Sequence, residues 1–593
     1  MTDNSALRVS DYIVEYLISF GVTDVFGYPG GMVTDLMDAL GKRDDRIHTH
    51  LTYHEQGASF AACGYAQAGG KLGVAFATSG PGATNLITGI CNAYFDSIPV
   101  LFLTGQVNTN EAKSEKKIRQ CGFQETDIVS MVRDVTKYAA YIENACKVRK
   151  CLEKAVYEAT HGRKGAVLLD IPIDVMRAEI TSENAAPFVP KVKADKMMER
   201  RDFTRALYMA FKKSKKPVLL IGNGIKLANA EKKVVNFVER TRIPVVSSMI
   251  ACDVMMGHDL YYGFIGAYGD RTANFIVAKS DLILSLGSRL DIRQIGRDRN
   301  CFASDARIYR VDIDKNELEY KVHEDEVSIC ADCNEILDEL VVLYRYEAER
   351  FGKWEKICDY IKVSLSGIDE TKSLRLVKEI SKNIQDNALI TTDVGQNQVW
   401  IAQAFQKKKE QRILFSGSNG AMGCALPLAV GAAIQTGKTV YSFQGDGGFQ
   451  MNLQELQTVV REGLPIKIII FNNHSLGMIR HFQEMYYDKN YFMTVEGSGY
   501  ANPDFRRIAD AYGLRYTCIR DVEECGRLFL DNKAEMIEVV LDEDTYVYPK
   551  LKYGKPNQDQ EPLIDRGLYL HLMDDEAIQN EIRKHIPKNC RSL

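Results

Sequence analysis

The sequence predicts an α/β protein made of three doubly wound parallel-sheet domains, and three observations carry that prediction. Short runs of Val, Ile and Leu recur along the whole chain, most of them ending in a glycine-bearing turn. Helix-like segments separate the runs, and the runs are continuous rather than alternating. Continuous apolar strands are buried on both faces, which is the condition of a parallel sheet covered by helices. The 593 residues exceed what one core can hold and suit several domains of about 150 residues each.

Three blocks follow in order. The first, residues 1–180, contains VTDVFGYPG, KLGVAFATSG, IPVLFLTGQ and GAVLLDIP. The second, 195–345, repeats the theme in KPVLLIGNG, IPVVSSM, SDLILSLGSR and ARIYRVDID. The third, 370–550, runs ALITTDVGQ, KTVYSFQGDGG, PIKIIIFNN and MIEVVLD. Polar, aperiodic stretches at 177–197 and near 345–372 read as linkers, and the tail at 551–593 loses strand character and is expected to lie over the surface.

Composition narrows the partners. Lys+Arg number 75 against 79 Asp+Glu, a net charge of −4 with no basic stripe, so nucleic acid is not an expected ligand. No apolar run reaches the roughly 18 residues needed to span a bilayer. The start, MTDNSALRVSDY, lacks the basic and apolar regions of a signal peptide. Fourteen cysteines are scattered singly, and the nearest pair, Cys330 and Cys333 in CADC, has no second pair to hold zinc. Reduced thiols and a cytoplasmic location are the expectation.

The chemistry concentrates at strand ends. In doubly wound sheets ligands bind beyond the carboxyl ends of strands, where glycine loops let backbone approach phosphate. In YSFQGDGGFQMNLQE, Asp446 follows a strand, and the next strand ends in Asn472-Asn473. Adjacent parallel strands joined by NLQELQTVVREG would bring Asp446 and Asn473 to one sheet edge. A carboxylate, an amide oxygen and a backbone carbonyl are hard ligands suited to a Mg²⁺ that also holds phosphate. GDG alone reads as a tight turn; GDG followed by NN at this spacing is far more specific.

GDGGFQMN…FNN resembles the diphosphate-binding motif of thiamine diphosphate enzymes, and residues 8–550 resemble the catalytic subunits of acetolactate (acetohydroxyacid) synthases. The resemblance implies a pyrimidine-binding, a central and a diphosphate-binding domain. It implies metal ligation by Asp446, Asn473 and the carbonyl of Ser475, with Gly445, Gly447, Gly448 and Met478 beside the cofactor. YHEQGASFAACGYAQAGG gives Glu55 as the glutamate that activates the aminopyrimidine, reaching the cofactor of the other subunit, so a homodimer or tetramer with interfacial active sites is implied. GYPGG places Pro29, Gly30 and Gly31 near the thiazolium, and SNGAMGCALP brings Gly420 and the cofactor prop Met422. CGFQET puts Gln124 beside the reacting centre and Phe123 in the pocket wall, and VTKY adds Lys137 as a third catalytic residue.

For the acceptor, GSRLDIRQIG aligns Arg293 with the arginine that holds a second 2-keto acid's carboxylate, a role an arginine fork suits. Two positions depart from the family. Ala267-Tyr268 stands where the family has Met-His, and Phe482 replaces a pocket tryptophan. The two departures are read as removing volume and making room for a larger acceptor. FAD in the central domain is implied, with IGNG, GSR and VDID suiting a dinucleotide, although VNTNEAKSEKKIRQCG and Tyr268 depart from the flavin-binding relatives. The activity implied is decarboxylation of pyruvate and ligation of its two-carbon unit to a second 2-keto acid, as in branched-chain amino acid biosynthesis, with a regulatory subunit as a further partner. The alternatives are transfer to a larger acceptor such as a keto sugar, a flavin-linked oxidase, and a non-catalytic binding role.

Overall fold

The computed structural model describes residues 6–585, apart from 114–115, 182–183, 191–196, 344–349, 409 and 528–530. The domain limits expected at 195 and 345, parts of both linkers and residues 586–593 of the tail lie outside the described residues. Among those described there are three six-stranded sheets, and every strand pair within them is parallel.

The first sheet comprises β1 (Asp24–Gly27), β2 (His48–Leu51), β3 (Gly73–Ala77), β4 (Val100–Gln106), β5 (Tyr138–Tyr141) and β6 (Ala166–Pro172), in the spatial order β2-β1-β3-β4-β6-β5. The central sheet is β7 (Pro217–Ile221), β8 (Val245–Ser247), β9 (Tyr261–Phe264), β10 (Leu282–Leu286), β11 (Arg307–Asp312) and β12 (Val327–Cys330), ordered β9-β8-β7-β10-β11-β12. The third is β13 (Leu389–Thr392), β14 (Arg412–Leu414), β15 (Val440–Gly445), β16 (Ile466–Asn472), β17 (Arg515–Ile519) and β18 (Glu535–Val540), ordered β14-β13-β15-β16-β18-β17. The first and third sheets thus share one topology, and the central sheet has the order of dinucleotide-binding folds. The central strands β4, β6 and β16 are buried along their whole length, which explains their unbroken apolar character.

The chain divides into two compact units. One holds residues 1–193, 383–398 and 409–545, so the first and third sheets belong together; the other holds 194–382, 399–408 and 546–593. Inside the first unit, helix α1 (Glu55–Gly69) packs on helix α2 (Ala425–Thr436). Their sequences, EQGASFAACGYAQAG and ALPLAVGAAIQT, are rich in Ala and Gly. A Cβ on Gly431 would overlap the Ala61 carbonyl, and one on Gly64 would overlap the carbonyl of Leu428. The two backbones therefore touch, and only the absence of a side chain at these positions allows it. Both helices are buried on nearly every face, as helices without a polar stripe must be.

The tail departs from the surface strap expected of it. It forms helices α3 (Arg566–Met573) and α4 (Asp575–His585), and Ile564, Leu572 and Ile578 enter the core of the central unit beside Trp354 and Phe275. Its apolar residues are spaced for one helix face rather than for a strand, a pattern that a search for strands passes over.

Replacing Gly431 by Val forces α1 and α2 apart. The expected loss is about 1 to 3 kcal/mol of stability, read from urea unfolding, whereas Gly41→Ala, at the end of the helix Thr34–Gly41, meets no neighbour and loses less.

Candidate active site

Each sheet has a switch point, where neighbouring strands send their connections to opposite faces and a crevice opens at the carboxyl edge. In the first sheet it falls between β1 and β3, in the central sheet between β7 and β10, and in the third between β13 and β15. The glycine turns GYPGG and TSGPG, GNG and GSR, and DVGQ and GDGG stand at these three places.

At the first edge, the turn at Gly30 lies against Thr78, and Met32 N donates to Thr78 Oγ1 at 3.2 Å. Pro29 is exposed, and Gly31 faces open space. Glu55 begins α1, is 8% exposed, and accepts a bond from Asn85 Nδ2 at 3.0 Å. His54 caps the helix by accepting Gln56 N at Nδ1. A Cβ on Gly82 would lie 3.2 Å from Glu55 Oε1, so the TSGPG turn closes over the carboxylate. Gln124 has φ +63 and lies against Gly80, while its neighbour Phe123 is 79% exposed. The loop is fixed from below. Gln106 Nε2 donates to Thr126 O at 2.8 Å and to Asp170 Oδ2 at 3.0 Å, and burial pushes the Asp170 carboxyl up to about 7.

Lys137 is not brought to this edge, which corrects the expectation of a catalytic lysine. It precedes β5, at the amino end of the sheet, with its N–H on Ala166 O at the start of β6. Its ammonium donates to the carbonyls of Glu158 and His161, at and just beyond the end of the helix Val148–Thr160. A lysine there satisfies terminal carbonyls and the helix dipole. The strand YAAY lacks a continuous Val, Ile or Leu run, so the sequence did not reveal that Lys137 precedes a strand.

At the third edge, Asp446 follows β15 and Asn473 follows the neighbouring β16, with Gly445 paired to Phe471 across the ladder. Asp446 is 3% exposed and accepts from Asn502 Nδ2 at 2.8 Å and Gly447 N at 3.0 Å. Burial pushes its carboxyl above the ordinary range, and these hydrogen bonds oppose the shift. Among the described residues it has no lysine or arginine partner. Asn473 Nδ2 donates to Gln396 Oε1 at 3.1 Å, which leaves the amide oxygen as an acceptor. Ser475 is buried and bridges Val495. A buried carboxylate without a cation, an amide oxygen and a nearby backbone carbonyl are a donor set that fits a divalent metal. No group of three His, Cys, Asp or Glu side chains forms such a set among the described residues.

Met422 leans over the turn, its Cε 3.6 Å from where a Cβ on Gly447 would stand. Gly420 has φ +69 in the same loop. Gly448 lies against the Asp393 carboxylate. Met478 and Phe482 follow on the helix Gly477–Tyr486, where the Phe482 ring lies 4.8 Å from Tyr486. Sequence reasoning missed three residues here. Asp393 accepts from Gly423 N at 2.9 Å and Ala425 N at 3.2 Å, holding the Met422 loop, and burial pushes it up to about 7. Glu455 accepts from Tyr53 N at 3.0 Å, and Asn452 Nδ2 donates to Gln56 Oε1 at 3.0 Å, so both seat the loop that carries Glu55. The DVGQ turn was a visible signal for Asp393, whereas the other two are marked only by contacts distant in sequence.

In the central unit Gly222 and Gly224 meet Gly287 backbone to backbone at the switch point, and the buried Ser248 Oγ at the end of β8 has no partner among the described residues. Arg293 is exposed, with its guanidinium 5.7 Å from the Tyr268 ring centroid, and its carbonyl accepts Ala267 N at 2.9 Å.

The sequence matches three family descriptions: the N-terminal TPP binding domain of thiamine pyrophosphate enzymes over residues 7–131, their central domain over 204–340, and their C-terminal TPP binding domain over 393–541. It is 34% identical to the acetolactate synthase large subunit of Lactococcus lactis, over 96% of this chain and 98% of that one. It is 34% identical to the acetolactate synthase isozyme 2 large subunit of Escherichia coli (93% and 98%) and 36% identical to the large subunit of Corynebacterium glutamicum (92% and 89%).

Two outcomes follow from the geometry. Lys137→Met should lower stability by about 1 kcal/mol and leave turnover within about twofold, since helix-capping loss does not reach the carboxyl edge. Glu455 carries a carboxyl that burial raises from the ordinary 4.5 to about 7. The folded state then holds a proton that the unfolded state releases, so its contribution declines as pH rises through that window. The melting temperature of the parent protein relative to Glu455→Gln should therefore be higher at pH 5 than at pH 8; a constant difference contradicts the buried, titrating carboxyl.

Proposed function

The chain belongs to the thiamine pyrophosphate enzymes, as an acetolactate synthase-like member, and on that premise we propose that it decarboxylates pyruvate and ligates the two-carbon unit to a second 2-keto acid. The observation that carries the reading is the third sheet's carboxyl edge, where Asp446, buried with no lysine or arginine partner among the described residues, and Asn473, its amide oxygen left as an acceptor, follow neighbouring strands. Asp446, Asn473 and the Ser475 carbonyl would hold Mg²⁺ and through it the cofactor's diphosphate, with Gly445, Gly447, Gly448, Gly420 and Met478 around it and Met422 as prop. Bound thiamine diphosphate supplies the electron sink for the carbanion left when a 2-keto acid loses CO₂.

The chain's own groups do the rest. Glu55, held by Asn85 at the start of α1, would pass a proton at its carboxylate to and from the aminopyrimidine of the bound cofactor, the relay that such chemistry needs. Gln124, fixed by the strained backbone at φ +63, orients the reacting carboxylate, and the exposed Phe123 closes the pocket against water. Arg293 holds the acceptor's carboxylate in its planar fork. In the central domain Gly222, Gly224, Gly287 and the Ser248 hydroxyl, without a partner among the described residues, are consistent with FAD, which completes the proposed cofactors. A homodimer as the smallest active unit and a cytoplasmic location belong to the same reading, and relatives named as large subunits extend it to a smaller regulatory chain. No helix among the described residues is long and apolar enough to cross a membrane.

A larger acceptor is the second reading, motivated by the departures at Ala267 and Phe482 and by the altered 107–121 loop, of which residues 114–115 lie outside the described set. Pyruvate alone separates the two: acetolactate formed at the rate of CO₂ release supports the first, and CO₂ release without acetolactate supports the second. Glu55→Gln should lower turnover by at least about 100-fold with thiamine diphosphate affinity retained, and unchanged turnover removes Glu55 from the relay. Asp446→Asn should weaken cofactor binding most at low Mg²⁺, in a titration of intrinsic fluorescence. A flavin band in the visible spectrum of the purified protein tests FAD.

A further inference from the structure

Two asparagines tie together the strand ends of the third sheet. Asn472 closes β16 and is 2% exposed, and its neighbour Asn473 is the expected metal ligand. Asn472 Nδ2 donates to Glu538 Oε1 of the adjacent β18 at 2.6 Å. An ionised carboxylate only accepts, so the Asn472 amide must turn its oxygen the other way. That oxygen accepts Asn502 Nδ2 at 2.6 Å and His474 N at 3.1 Å. The same Asn502 Nδ2 donates to Asp446 Oδ2 at 2.8 Å, so both of its N–H groups meet acceptors. Gln450 Nε2 completes the amide by donating to Asn502 Oδ1 at 3.3 Å, and it also reaches the Asp446 carbonyl at 3.1 Å. The result is a bridge of fixed polarity from Glu538 through Asn472 and Asn502 to Asp446.

The bridge touches both halves of the proposed metal site. Through Asn502 it fixes Asp446 Oδ2, while Gly447 N fixes Oδ1 at 3.0 Å. The Tyr500 hydroxyl is a further donor to the same carboxylate. Through His474 N the bridge fixes the turn between Asn473 and Ser475, where His474 has φ +52. Every one of these donors is neutral. A lysine or arginine in their place would orient the carboxylate and also offset the charge that attracts a divalent cation. Neutral hydrogen bonds orient it and leave that charge for the ion.

We infer that Asn472, Asn502 and Tyr500 are positioning residues for the metal, which hold Asp446 and the Asn473–Ser475 turn in register for one divalent ion and so set the affinity for it. The inference rests on the proposed metal role of Asp446 and Asn473. It assigns the first asparagine of the NN pair a task distinct from that of the second.

The test is read without turnover. Mg²⁺ is titrated into the full chain with thiamine diphosphate and no pyruvate, and binding is followed by intrinsic fluorescence. Asn502→Leu keeps a branched side chain and removes both donors. The Mg²⁺ concentration at half-saturation should rise by about 10- to 100-fold, and saturating Mg²⁺ should restore the parent's affinity for thiamine diphosphate. Tyr500→Phe loses a single hydroxyl and should move the midpoint in the same direction by less. An unchanged midpoint in folded Asn502→Leu overturns the inference. So does a loss of cofactor affinity that no Mg²⁺ concentration restores, because that marks general damage to the fold. Should Asn502→Leu fail to fold, Tyr500→Phe decides: a raised midpoint upholds the inference and an unchanged one overturns it. Cofactor binding by the parent protein that ignores Mg²⁺ sinks the proposed function as well, whereas a Mg²⁺-dependent parent with unresponsive variants sinks this inference alone.

Discussion

The contact on which the first unit depends is the backbone-to-backbone packing of α1 on α2. Two helices that touch at Gly64 and Gly431 bring their axes closer than side chains would allow, and Ala and Gly fill the rest of the seam. The gain is dispersion between close-packed backbones together with complete burial of both helices. The consequence is positional. Glu55 opens α1, and the Met422 loop leads into α2, so a shift of either helix would move a residue of the candidate site. Glu455 and Asn452 reinforce the seat by bonding to Tyr53 and Gln56 on either side of Glu55.

The three sheets solve one problem three times. Right-handed crossovers that reverse direction leave a crevice at a predictable strand pair, and the glycine turns of this chain stand at those crevices rather than at random strand ends. The first and third sheets share an order while the central one differs. That division agrees with a chain whose outer domains match descriptions of TPP binding and whose middle domain does not carry those words.

Buried carboxylates separate scaffold from site. Asp170, Asp393 and Glu455 are each shifted up to about 7 by burial. Each accepts protein donors that fix a loop: Thr104 and Gln106, Gly423 and Ala425, Tyr53 and Thr458. Asp446 is buried as deeply, and it accepts from the Asn502 amide, the Gly447 N–H and the Tyr500 hydroxyl. A carboxylate enclosed at a switch point, with no lysine or arginine partner among the described residues, has the chemistry of a metal ligand.

Much of this was legible in the residues alone. Continuous apolar runs gave away the parallel sheets, because burial on both faces admits no polar alternation. GDGG followed by NN marked the third crevice, because adjacent parallel strands bring their ends together whatever the packing around them. What the sequence left undecided depended on contacts between residues hundreds of positions apart. Lys137 lies at the amino end of its sheet because it precedes the strand Tyr138–Tyr141, and YAAY lacks the continuous Val, Ile and Leu run that marked the other strands. Glu455 acts through Tyr53, and Lys550 reaches Tyr268 because the tail folds back on the central unit. A local pattern states what a segment can form, but the direction in which a side chain finally points is set by the surfaces that bury it, and those belong to the tertiary structure.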